Sequence, residues 1–500
     1  MKQTHPASVI IVGGGTAGWM CAAYLAKQWG AKSHITLIES SQIGTVGVGE
    51  GSTPFLKQFF TDLGWQEQDW MPHCDATYKT GIEFANWTNS QRFSQYFHPF
   101  FTPLDQQTGE LFFDSCQTLR SSRGNADVKP EHYFCAAEMV RKRVTPQSTK
   151  LPGDIDYAYH FDASKLALSL KSFSTQLGVQ HKEGKVAEVY TEEGNIRGLR
   201  MEQGETLSAD LYVDCSGFVG LLMKKALNAP FRSYRETLFN DAAVALPTQH
   251  NSNEPIAPQT RSVGMDNGWM WQIPLTSRIG NGYVYSSDFC SADEAEGALR
   301  KALNVDDLVP ARHLKMQVGR LDEHWQGNCV AIGLAQGFIE PLEATALMLV
   351  QYALYQLVDG VDSAKPLASA QQAYNREMNR MFDGIRDYIA AHYYLNTRTD
   401  SAYWQACRHE MCVPENLQYL LDKWDSGACF ETALDHLDSE LVYLRPSWYC
   451  ILAGMGRFNS PEAHQKAPVH QASLAHLAKL TAHYFSQQQR PRSGELTCGM

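Results

Sequence analysis

The stretch Val9-Ile-Ile-Val-Gly-Gly-Gly-Thr-Ala-Gly18 decides the fold of this 500-residue chain. A short β-branched run, of the kind buried in parallel sheets, leads directly into glycines with the spacing GxGxxG. Such glycines allow a tight turn, a close approach of the backbone to a pyrophosphate, and close packing of a helix on the strand. The stretch therefore predicts a strand, a turn and a helix that bind a dinucleotide, with contacts from Gly13, Gly15, Thr16, Ala17 and Gly18.

A second strand and an acidic residue complete this unit. The helix should extend from Ala17 to about Gln28, and the run 34–38 should form a parallel strand that ends at Glu39. An acidic residue about 20 positions after the glycines is where the ribose hydroxyls of an adenine nucleotide are bound. A glycine turn in an unrelated α/β unit is the alternative, but the order of strand, helix, strand and acid favours the nucleotide site.

Two later segments favour FAD over NAD as the nucleotide. Residues 209–218 and 328–333 are apolar strands that end in glycine, and an antiparallel stretch at 185–201 precedes the first of them. Flavoproteins of the glutathione-reductase type assemble their site from such returns to the first sheet. The further cofactor-binding residues that we expect on these segments are Val186, Asp214 and Gly333.

The predicted fold class is α/β. We expect a glutathione-reductase-like, Rossmann-type FAD domain, an inserted β-sheet substrate region and a mostly helical C-terminal region. The expected division is 1–80, 160–230 and 310–360 for the discontinuous FAD domain, 81–159 and 231–309 for the β-rich substrate region, 361–490 for helices that cover the substrate, and 491–500 for a disordered tail.

The composition excludes several other classes of function. A net charge of −11 and a pI near 5.9 leave no basic face large enough to bind nucleic acid or an anionic membrane. The most apolar stretch, 344–357, is shorter than the roughly 20 residues of a membrane-spanning helix. No signal peptide is evident, and twelve scattered cysteines without a CxxC pair indicate thiols in a reducing compartment, so we expect a cytoplasmic protein. Cys407, His409 and Cys412 lack a second ligand pair, so we expect no metal site.

A pair of tryptophans marks the segment Gly268-Trp-Met-Trp-Gln-Ile-Pro274. Side chains alternate along a strand, so the rings of Trp269 and Trp271 should point to the same side. An aromatic pair in the core is the plain structural interpretation. With Ile273 and Pro274, however, the segment matches the signature WxWxIP, and in this the chain resembles the flavin-dependent halogenases of the tryptophan halogenase family.

The resemblance extends over most of the chain. The other matching motifs are VGVGEGSTP at 46–54, YHFDA at 159–163, DCSGF at 214–218 and FIEPLE at 338–343. The first of these motifs implies two more cofactor-binding residues, Val48 and Gly49. It implies an enzyme in which reduced FAD, oxygen and a halide form hypohalous acid, which then halogenates an electron-rich aromatic compound. It also implies that the two tryptophans keep the substrate away from the flavin and so suppress monooxygenation. FADH2 would come from a separate NAD(P)H-dependent flavin reductase, because no second nucleotide fingerprint is visible.

The resemblance assigns the catalytic roles to Lys79 and Glu343. A lysine between a helix and a strand is ordinarily a solvated end residue, but the match makes Lys79 the group that holds hypohalous acid beside the substrate, by hydrogen bonding or as a haloamine. Glu343 after Pro341 is also ordinary for the first turn of a helix. The match makes it the carboxylate that activates the electrophile or deprotonates the cationic intermediate.

The same predicted helix start offers a halide site, since backbone N–H groups at a helix N-terminus attract anions. By the resemblance, the halide would lie at the amides of Thr345 and Ala346. Tryptophan-acting members have Ser-Thr-Gly where this chain has Ala344, Thr345 and Ala346. The amides survive this change, but the lost hydroxyl and the new methyl groups alter the pocket, which puts chloride in doubt and favours bromide.

The substrate-binding residues that the resemblance implies are His98, Phe100, Glu343 and Tyr443. The aromatic run 96–100 would stack well on an indole or a phenol, although a buried aromatic cluster would show the same pattern. Free-tryptophan enzymes hold the amino-acid end with a tyrosine pair and a glutamate, and the corresponding run 430–443 has no tyrosine pair. We therefore expect an indole derivative without that end, or a larger aromatic compound.

Two rival functions stay open from the sequence. A flavin monooxygenase on the same fold would hydroxylate its substrate, and Ala344 and Ala346 make a non-catalytic flavin-binding homologue conceivable. The expected partners of a halogenase are the reductase, a small aromatic substrate and, as an alternative to a monomer, a second copy of the chain.

Overall fold

The computed structural model describes residues 5–44, 49–146, 155–251, 254–363, 365–459, 467 and 471–484. Its strands are β1 (Ser8–Val12), β2 (His34–Glu39), β3 (Gly49–Gly51), β4 (Thr77–Lys79), β5 (Gly81–Ala85), β6 (Gln95–Pro99), β7 (Ala158–Asp162), β8 (Gln180–Glu183), β9 (Val186–Glu192), β10 (Asn195–Met201), β11 (Thr206–Leu207), β12 (Leu211–Asp214), β13 (Phe231–Ser233), β14 (Ala242–Thr248), β15 (Thr260–Met265), β16 (Gly268–Pro274), β17 (Ile279–Tyr285), β18 (Arg312–Lys315), β19 (Gly319–Leu321), β20 (Trp325–Gln326), β21 (Cys329–Ala331) and β22 (Gly337–Phe338). Its α-helices are α1 (Thr16–Trp29), α2 (Phe55–Leu63), α3 (Glu67–Trp70), α4 (Gln106–Arg120), α5 (Cys135–Lys142), α6 (Ala163–Gln176), α7 (Ala292–Leu303), α8 (Ala346–Asp362), α9 (Leu367–Tyr394), α10 (Ala402–His409), α11 (Glu415–Asp425), α12 (Phe430–His436), α13 (Arg445–Gly454) and α14 (Gln471–Tyr484). Val48 and the segment 491–500, for which we made predictions, lie outside the described residues.

Five parallel strands form the nucleotide-binding sheet. Its order is β20-β21-β12-β1-β2-β8, and the edge strand β20 is antiparallel to its neighbour. In register, Val12 lies beside Ile38 and Asp214, and Asp214 lies beside Ala331. The carboxyl ends of these strands are therefore level, and the turns that follow them meet at one edge of the sheet. The predicted return of the later strands to the first sheet is confirmed.

The first helix covers one face of this sheet. α1 packs against α6 and α8, and most of its side chains are buried. The predicted helix from Ala17 to about Gln28 is confirmed, with one more residue at each end. Gly18 allows its close approach, because a Cβ there would stand 1.9 Å from the Gly13 carbonyl oxygen.

A seven-stranded sheet forms the second layer. Its order is β18-β14-β17-β16-β15-β5-β6, antiparallel except for the pair β15 and β5, and the tryptophan strand β16 lies at its centre. The described residues of 81–159 contribute β5 and β6 to it and otherwise hold mainly α4, α5 and the start of β7, so this part of the chain is less β-rich than we predicted. The reason is visible in α4, where the buried residues Phe112, Cys116 and Leu119 follow the helical period.

A three-stranded sheet, β3-β7-β4, joins the two layers. β3 packs against both β16 and β17 of the second sheet, while β7 leads into α6, which packs on the first helix. This small sheet therefore places the motifs at 49–54 and 159–163 between the nucleotide unit and the tryptophan strand.

The C-terminal part is helical, as predicted. α9 is the longest helix, and it packs against α8, α10 and α11 and buries Tyr388 and His392 in the core. None of the helices in the described ranges is long and apolar enough to cross a bilayer.

Candidate active site

Lys79 is the last residue of β4 and is fully buried. Its Nζ donates a hydrogen bond of 3.0 Å to the backbone carbonyl of Ser52, and it lies 5.4 Å from the ring centroid of Phe100. Burial lowers the pKa of Lys79 to about 7, although the negative charge of Glu343 opposes this shift. The side chain is therefore not the solvated end residue that its local sequence suggests, and near neutral pH its amine is available in the uncharged form.

Glu343 lies on a loop that the sequence placed in the first turn of a helix. Pro341 does begin a turn, as that interpretation has it, but Pro341–Glu343 is a short 3₁₀ turn separate from α8, which begins only at Ala346. The break occurs at Ala344, whose φ of 57° is left-handed and cannot continue a helix. The Glu343 side chain is thereby directed inward and is buried.

Two imidazoles flank the Glu343 carboxylate. His98 Nδ1 lies 3.4 Å from Oε2, and His392 Nε2 lies 3.1 Å from Oε1. Burial alone would raise the pKa of Glu343, but the two histidines outweigh it and lower this pKa to about 2. A carboxylate that stays ionised in an apolar interior can stabilise a developing cation and accept its proton.

Aromatic rings surround this carboxylate. The rings of Tyr388 and Tyr443 stack with centroids 3.7 Å apart and planes 11° apart, and His98 lies 6.2 Å from Tyr388. The hydroxyls of Tyr96 and Tyr443 are buried and have no hydrogen-bond partner among the described residues. The predicted residues His98, Glu343 and Tyr443 thus come together, with Phe100 on the Lys79 side.

The tryptophan pair lies as predicted on one side of β16. The ring centroids of Trp269 and Trp271 are 6.2 Å apart, and both residues are buried. The cross-strand neighbour of Trp271 is Gly282, where a Cβ would lie 2.1 Å from the indole ring, so only glycine leaves room for it. Ile273 and Pro274 end the strand, and the Pro274 carbonyl accepts a 2.6 Å hydrogen bond from the Thr77 hydroxyl.

The glycine turn has the shape of a pyrophosphate cradle. Gly13 has φ of +117°, and a Cβ on it would stand 2.1 Å from the Cys215 carbonyl oxygen. A Cβ on Gly15, in contrast, would meet none of the described atoms within 4 Å, so the backbone there is open to a ligand. α1 begins directly after Gly15, with Thr16 and Ala17 as its first residues. The Thr16 hydroxyl donates a hydrogen bond of 3.2 Å to the Ala163 carbonyl. These residues fit a dinucleotide such as FAD.

Glu39 stands at the end of β2, on the same edge of the sheet. Its carboxylate contacts Lys171 at 2.7 Å and His181 at 3.0 Å, and it accepts a 3.4 Å hydrogen bond from the Trp19 indole. These contacts hold an acceptor near the glycine turn, since Glu39 also adjoins the position that a Cβ on Gly14 would take. This arrangement suits the binding of ribose hydroxyls.

The remaining predicted cofactor residues take different positions. Gly49 begins β3, Gly333 follows β21 with φ of +72° and lies against Ala17, and Val186 begins β9 in a separate small sheet. The Asp214 carboxylate is fully used within the protein: one oxygen accepts from Ser216, and the other accepts from the amides of Leu222 and Met223. Asp214 therefore holds the turn after β12, and any effect on a cofactor passes through that turn.

The candidate halide site lies at the start of α8. Thr345 is its N-cap and Ala346 its first residue, and the first amides of a helix have no partner within it. The Thr345 hydroxyl is buried and lacks a hydrogen-bond partner in the described part of the chain. Unpaired amides at the positive end of a helix, beside this buried hydroxyl, suit a small anion.

Several residues of this site were not singled out from the sequence, namely Ser52, His160, Thr260, Glu340, Tyr388 and His392. Ser52, His160 and Glu340 lie inside motifs that we had recognised, which was a usable signal. Tyr388 and His392 have the i, i+4 spacing of one helix face. Of the cysteines that we considered as metal ligands, Cys407 is buried and Cys412 is exposed. The described residues contain no cluster of three or more His, Cys, Asp or Glu side chains that could hold a metal.

The fold and the site together define a class of protein. A Rossmann-type nucleotide cradle joined to a buried tryptophan pair, lysine and glutamate is the arrangement of an FAD-dependent halogenase. Comparison with known proteins gives the same result, because residues 8–472 match the tryptophan halogenase family. The chain belongs to this family.

The relatives are similar over nearly their whole length. The chain is 38% identical to tryptophan 7-halogenase RebH of Lentzea aerocolonigenes over 482 residues, which cover 90% of this chain and 89% of the relative. Among solved structures, the tryptophan 6-halogenase SttH of Streptomyces toxytricini has a TM-score of 0.83 at 33% identity, covering 97% of this chain and 99% of that chain. The flavin-dependent halogenase Xcc4156 of Xanthomonas campestris also has a TM-score of 0.83, at 32% identity, covering 98% and 100%.

Proposed function

We propose that this enzyme uses FADH2, oxygen and a halide, preferably bromide, to halogenate an indole derivative that lacks a free amino-acid end. The observation that carries the proposal is the buried Lys79 amine, which lies 5.4 Å from the centroid of the Phe100 ring and is influenced electrostatically by the Glu343 carboxylate. A buried lysine without a paired counter-ion costs stability, because its charged form is poorly solvated there. Its presence therefore supports a role in the reaction.

The nucleotide cradle is the proposed FAD site. Gly13, Gly15 and Gly18 would admit the pyrophosphate at the start of α1, and Glu39 would bind the ribose. Bound FADH2 supplies the electrons for the reduction of oxygen, from which hypohalous acid forms with the halide. We further propose that a separate NAD(P)H-dependent reductase delivers FADH2, because the cradle at β1 is the one such turn that the sequence contains.

The two catalytic side chains act in sequence. The uncharged Lys79 amine either donates a hydrogen bond to hypohalous acid or takes its halogen, in which case a haloamine and water form. The halogen then passes to the aromatic carbon, the amine is regenerated, and the carbon releases its proton. Glu343 is placed to stabilise the intervening cation and to accept that proton, since its carboxylate is ionised at neutral pH.

The surroundings of Glu343 support an aromatic substrate. His98, Tyr388 and Tyr443 present ring faces and edges, and two buried hydroxyls of Tyr96 and Tyr443 lack partners among the described residues and could bind a polar group. RebH and SttH are named as tryptophan halogenases, but the run 430–443 of this chain has no tyrosine pair. This difference favours a substrate without the amino-acid end.

The test is reconstitution with a flavin reductase, NADH, bromide or chloride, and a panel of indoles, with product analysis by mass spectrometry. We expect haloindoles, with bromide ahead of chloride and substituted indoles ahead of free tryptophan. Hydroxylated products without halogen would show a monooxygenase instead. Neither product, with any halide or indole, would favour a flavin-binding protein without catalysis.

A pair of variants tests the role of Lys79 within the same assay. Lys79→Ala should abolish aryl halogenation, while hypohalous acid, captured by a diketone trap, still forms. Lys301→Ala, which removes an exposed lysine on α7, is the matched control and should change neither. Aryl halogenation by Lys79→Ala would remove this lysine from the mechanism.

A further inference from the structure

The side chains of Lys79, His160 and Thr260 lie together beside Gly51. Of these three, only Lys79 has a role in the proposed reaction. In the small sheet, His160 on β7 lies between Gly51 on β3 and Thr77 on β4. A Cβ on Gly51 would stand 3.3 Å from Lys79 Nζ, 3.5 Å from the His160 ring and 3.5 Å from the Thr260 hydroxyl. The missing side chain of Gly51 therefore leaves Lys79, His160 and Thr260 to share one small space.

The hydrogen bonds of His160 fix which of its nitrogens carries a proton. The Thr77 hydroxyl has one proton and donates it to the Pro274 carbonyl at 2.6 Å, because a carbonyl can only accept. The His160 Nδ1, 3.1 Å from the same hydroxyl oxygen, must then donate to it. The other nitrogen, Nε2, lies 2.9 Å from the Thr260 hydroxyl and accepts its proton. Both nitrogens of a neutral ring are thus occupied.

The surroundings keep this ring uncharged. His160 is fully buried, and burial by itself lowers its pKa well below the ordinary value; a positive charge on Lys79, whenever that amine is protonated, lowers this pKa further. The charged or titratable groups on the surrounding elements are Lys79 on β4, Glu50 on β3, Asp162 on β7, Glu83 on β5, Arg261 on β15, Arg278 before β17 and Glu343.

Most of these groups are already engaged away from the ring. Asp162 pairs with Arg278 at 2.8 Å, and Glu83 pairs with Arg261 at 2.8 Å. Glu50 precedes Gly51 and so points to the opposite side of the strand, and burial raises its pKa to about 7. Among the described residues, Glu343 is the group that opposes the neutral state of Lys79.

We propose that His160 is a positioning residue for Lys79: Thr77 and Thr260 hold the ring beside the amine with both of its nitrogens occupied, so it cannot accept a proton from that amine. The arrangement depends on Thr260, because among the described residues its hydroxyl alone contacts Nε2. The inference rests on the proposed role of Lys79 and adds the reason why that amine stays free to meet hypohalous acid.

The chemical consequence follows from what the imidazole would otherwise do. A free Nε2 lone pair on a ring that borders the same small space as the Lys79 amine would be an acceptor that stabilises the charged form of the lysine. A protonated lysine has no lone pair for a halogen. The chain of hydrogen bonds from Thr260 through His160 and Thr77 to Pro274 therefore links the state of Lys79 to the end of the tryptophan strand.

The first test measures the ring itself in the flavin-free wild-type protein. Nuclear magnetic resonance of ¹⁵N-histidine-labelled protein, with the signal assigned by His160→Gln, should show the neutral Nδ1–H form from pH 6 to 9. The Nε2–H form, or a charged ring at neutral pH, would overturn the proposal. This measurement needs no variant of uncertain stability.

The second test compares Thr260→Val with Thr260→Ser in the same flavin-free state. Valine matches threonine in shape but frees Nε2, so the Lys79 pKa, followed by ¹³Cε resonances of labelled lysine, should rise by about 1. Serine keeps the hydroxyl and should leave it unchanged. An unchanged Lys79 titration in Thr260→Val would refute the inference; if that variant does not fold, the wild-type tautomer decides the matter.

A third readout separates this inference from the proposed function. In the reconstituted assay, the pH of half-maximal aryl halogenation should rise by about 1 in Thr260→Val, with hypohalous acid formation unchanged. A protein that shows the tautomer and the titration shift but makes no haloindole would contradict the proposed function alone. A protein that halogenates indoles but whose His160 is not in the neutral Nδ1–H form would contradict only this inference.

Discussion

The indole Nε1 of Trp269 donates a 3.2 Å hydrogen bond to the carboxylate of Glu340. Glu340 is almost fully buried and also accepts a 2.8 Å hydrogen bond from the Asn240 amide. Burial raises the pKa of Glu340, and the surrounding donors counter only part of that shift. The bond ties the tryptophan strand to the loop that carries Glu343, so the two motifs of the family are physically joined.

Removal of this carboxylate should destabilise the protein markedly. Glu340→Ala would leave the buried indole N–H of Trp269 unpartnered and would remove one of the two acceptors of the Asn240 amide, which also donates to the Tyr393 hydroxyl at 2.9 Å, and we expect the free energy of unfolding to fall by about 2–4 kcal/mol. Urea denaturation measures this loss. Glu340→Gln, which keeps the shape and one acceptor, is the control and should lose less than about half as much. Equal stability of Glu340→Ala and the wild type would show that the bond does not hold the loop.

Lys79→Met should make the protein more stable and should weaken the dependence of its stability on pH. The Lys79 pKa is about 7 in the folded protein and about 10.4 in an unfolded chain. Between pH 7 and about pH 10.4 the unfolded chain binds more protons than the folded protein. The free energy of unfolding therefore rises with pH in that window, and below pH 7 this gain in stability is absent. Methionine removes the buried amine, and we expect it to stabilise the protein by about 2 kcal/mol at pH 7, an advantage that narrows towards pH 9.

The pH dependence supplies the control for this variant. The free energy of unfolding, measured by urea denaturation, should increase less between pH 7 and pH 9 for Lys79→Met than for the wild type. Lys301→Met, at an exposed position, should keep the wild-type increase. Identical increases for all three proteins would mean that Lys79 titrates as an ordinary surface lysine.

Tyr443→Phe distinguishes a substrate-binding hydroxyl from a structural one. The change keeps the stack on Tyr388 but removes a buried hydroxyl that has no partner among the described residues. We expect the unliganded protein to be as stable or about 1 kcal/mol more stable, while KM for the indole rises about fivefold and hypohalous acid formation is unchanged. Steady-state kinetics and urea denaturation measure the two effects.

Tyr388→Phe is the matched comparison, because its hydroxyl donates to the Ser447 carbonyl at 3.0 Å. That variant should lose about 1 kcal/mol of stability. An unchanged KM in Tyr443→Phe would assign Tyr443 to packing alone.

Ala346→Gly should shift the preference between halides. The methyl group at the first position of α8 stands beside the amides that would bind the anion. We expect its removal to raise chlorination relative to bromination severalfold in a competition with equal halide concentrations, read by mass spectrometry. The same product ratio in both proteins would place the halide elsewhere.

The nucleotide unit and the tryptophan pair were predictable because each depends on local geometry. The spacing of Gly13, Gly15 and Gly18 determines the turn, and the two-residue period of a strand places Trp269 and Trp271 on one side. Such features depend on neighbours within a few positions, so they can be read without the rest of the chain. Lys79 and Glu343 could be named only through their motif matches.

The state of those side chains was decided by the tertiary structure. The burial of Lys79, the two histidines beside Glu343 and the partners of His160 come from segments far apart in sequence, such as Ser52, His98, Thr260 and His392. Even the start of α8 at Ala346 rather than at Pro341 follows from the left-handed turn at Ala344, which no local preference predicts. Sequence by itself determined which residues carry the chemistry, whereas folding removed water from them and so set their pKa values and their reactivity.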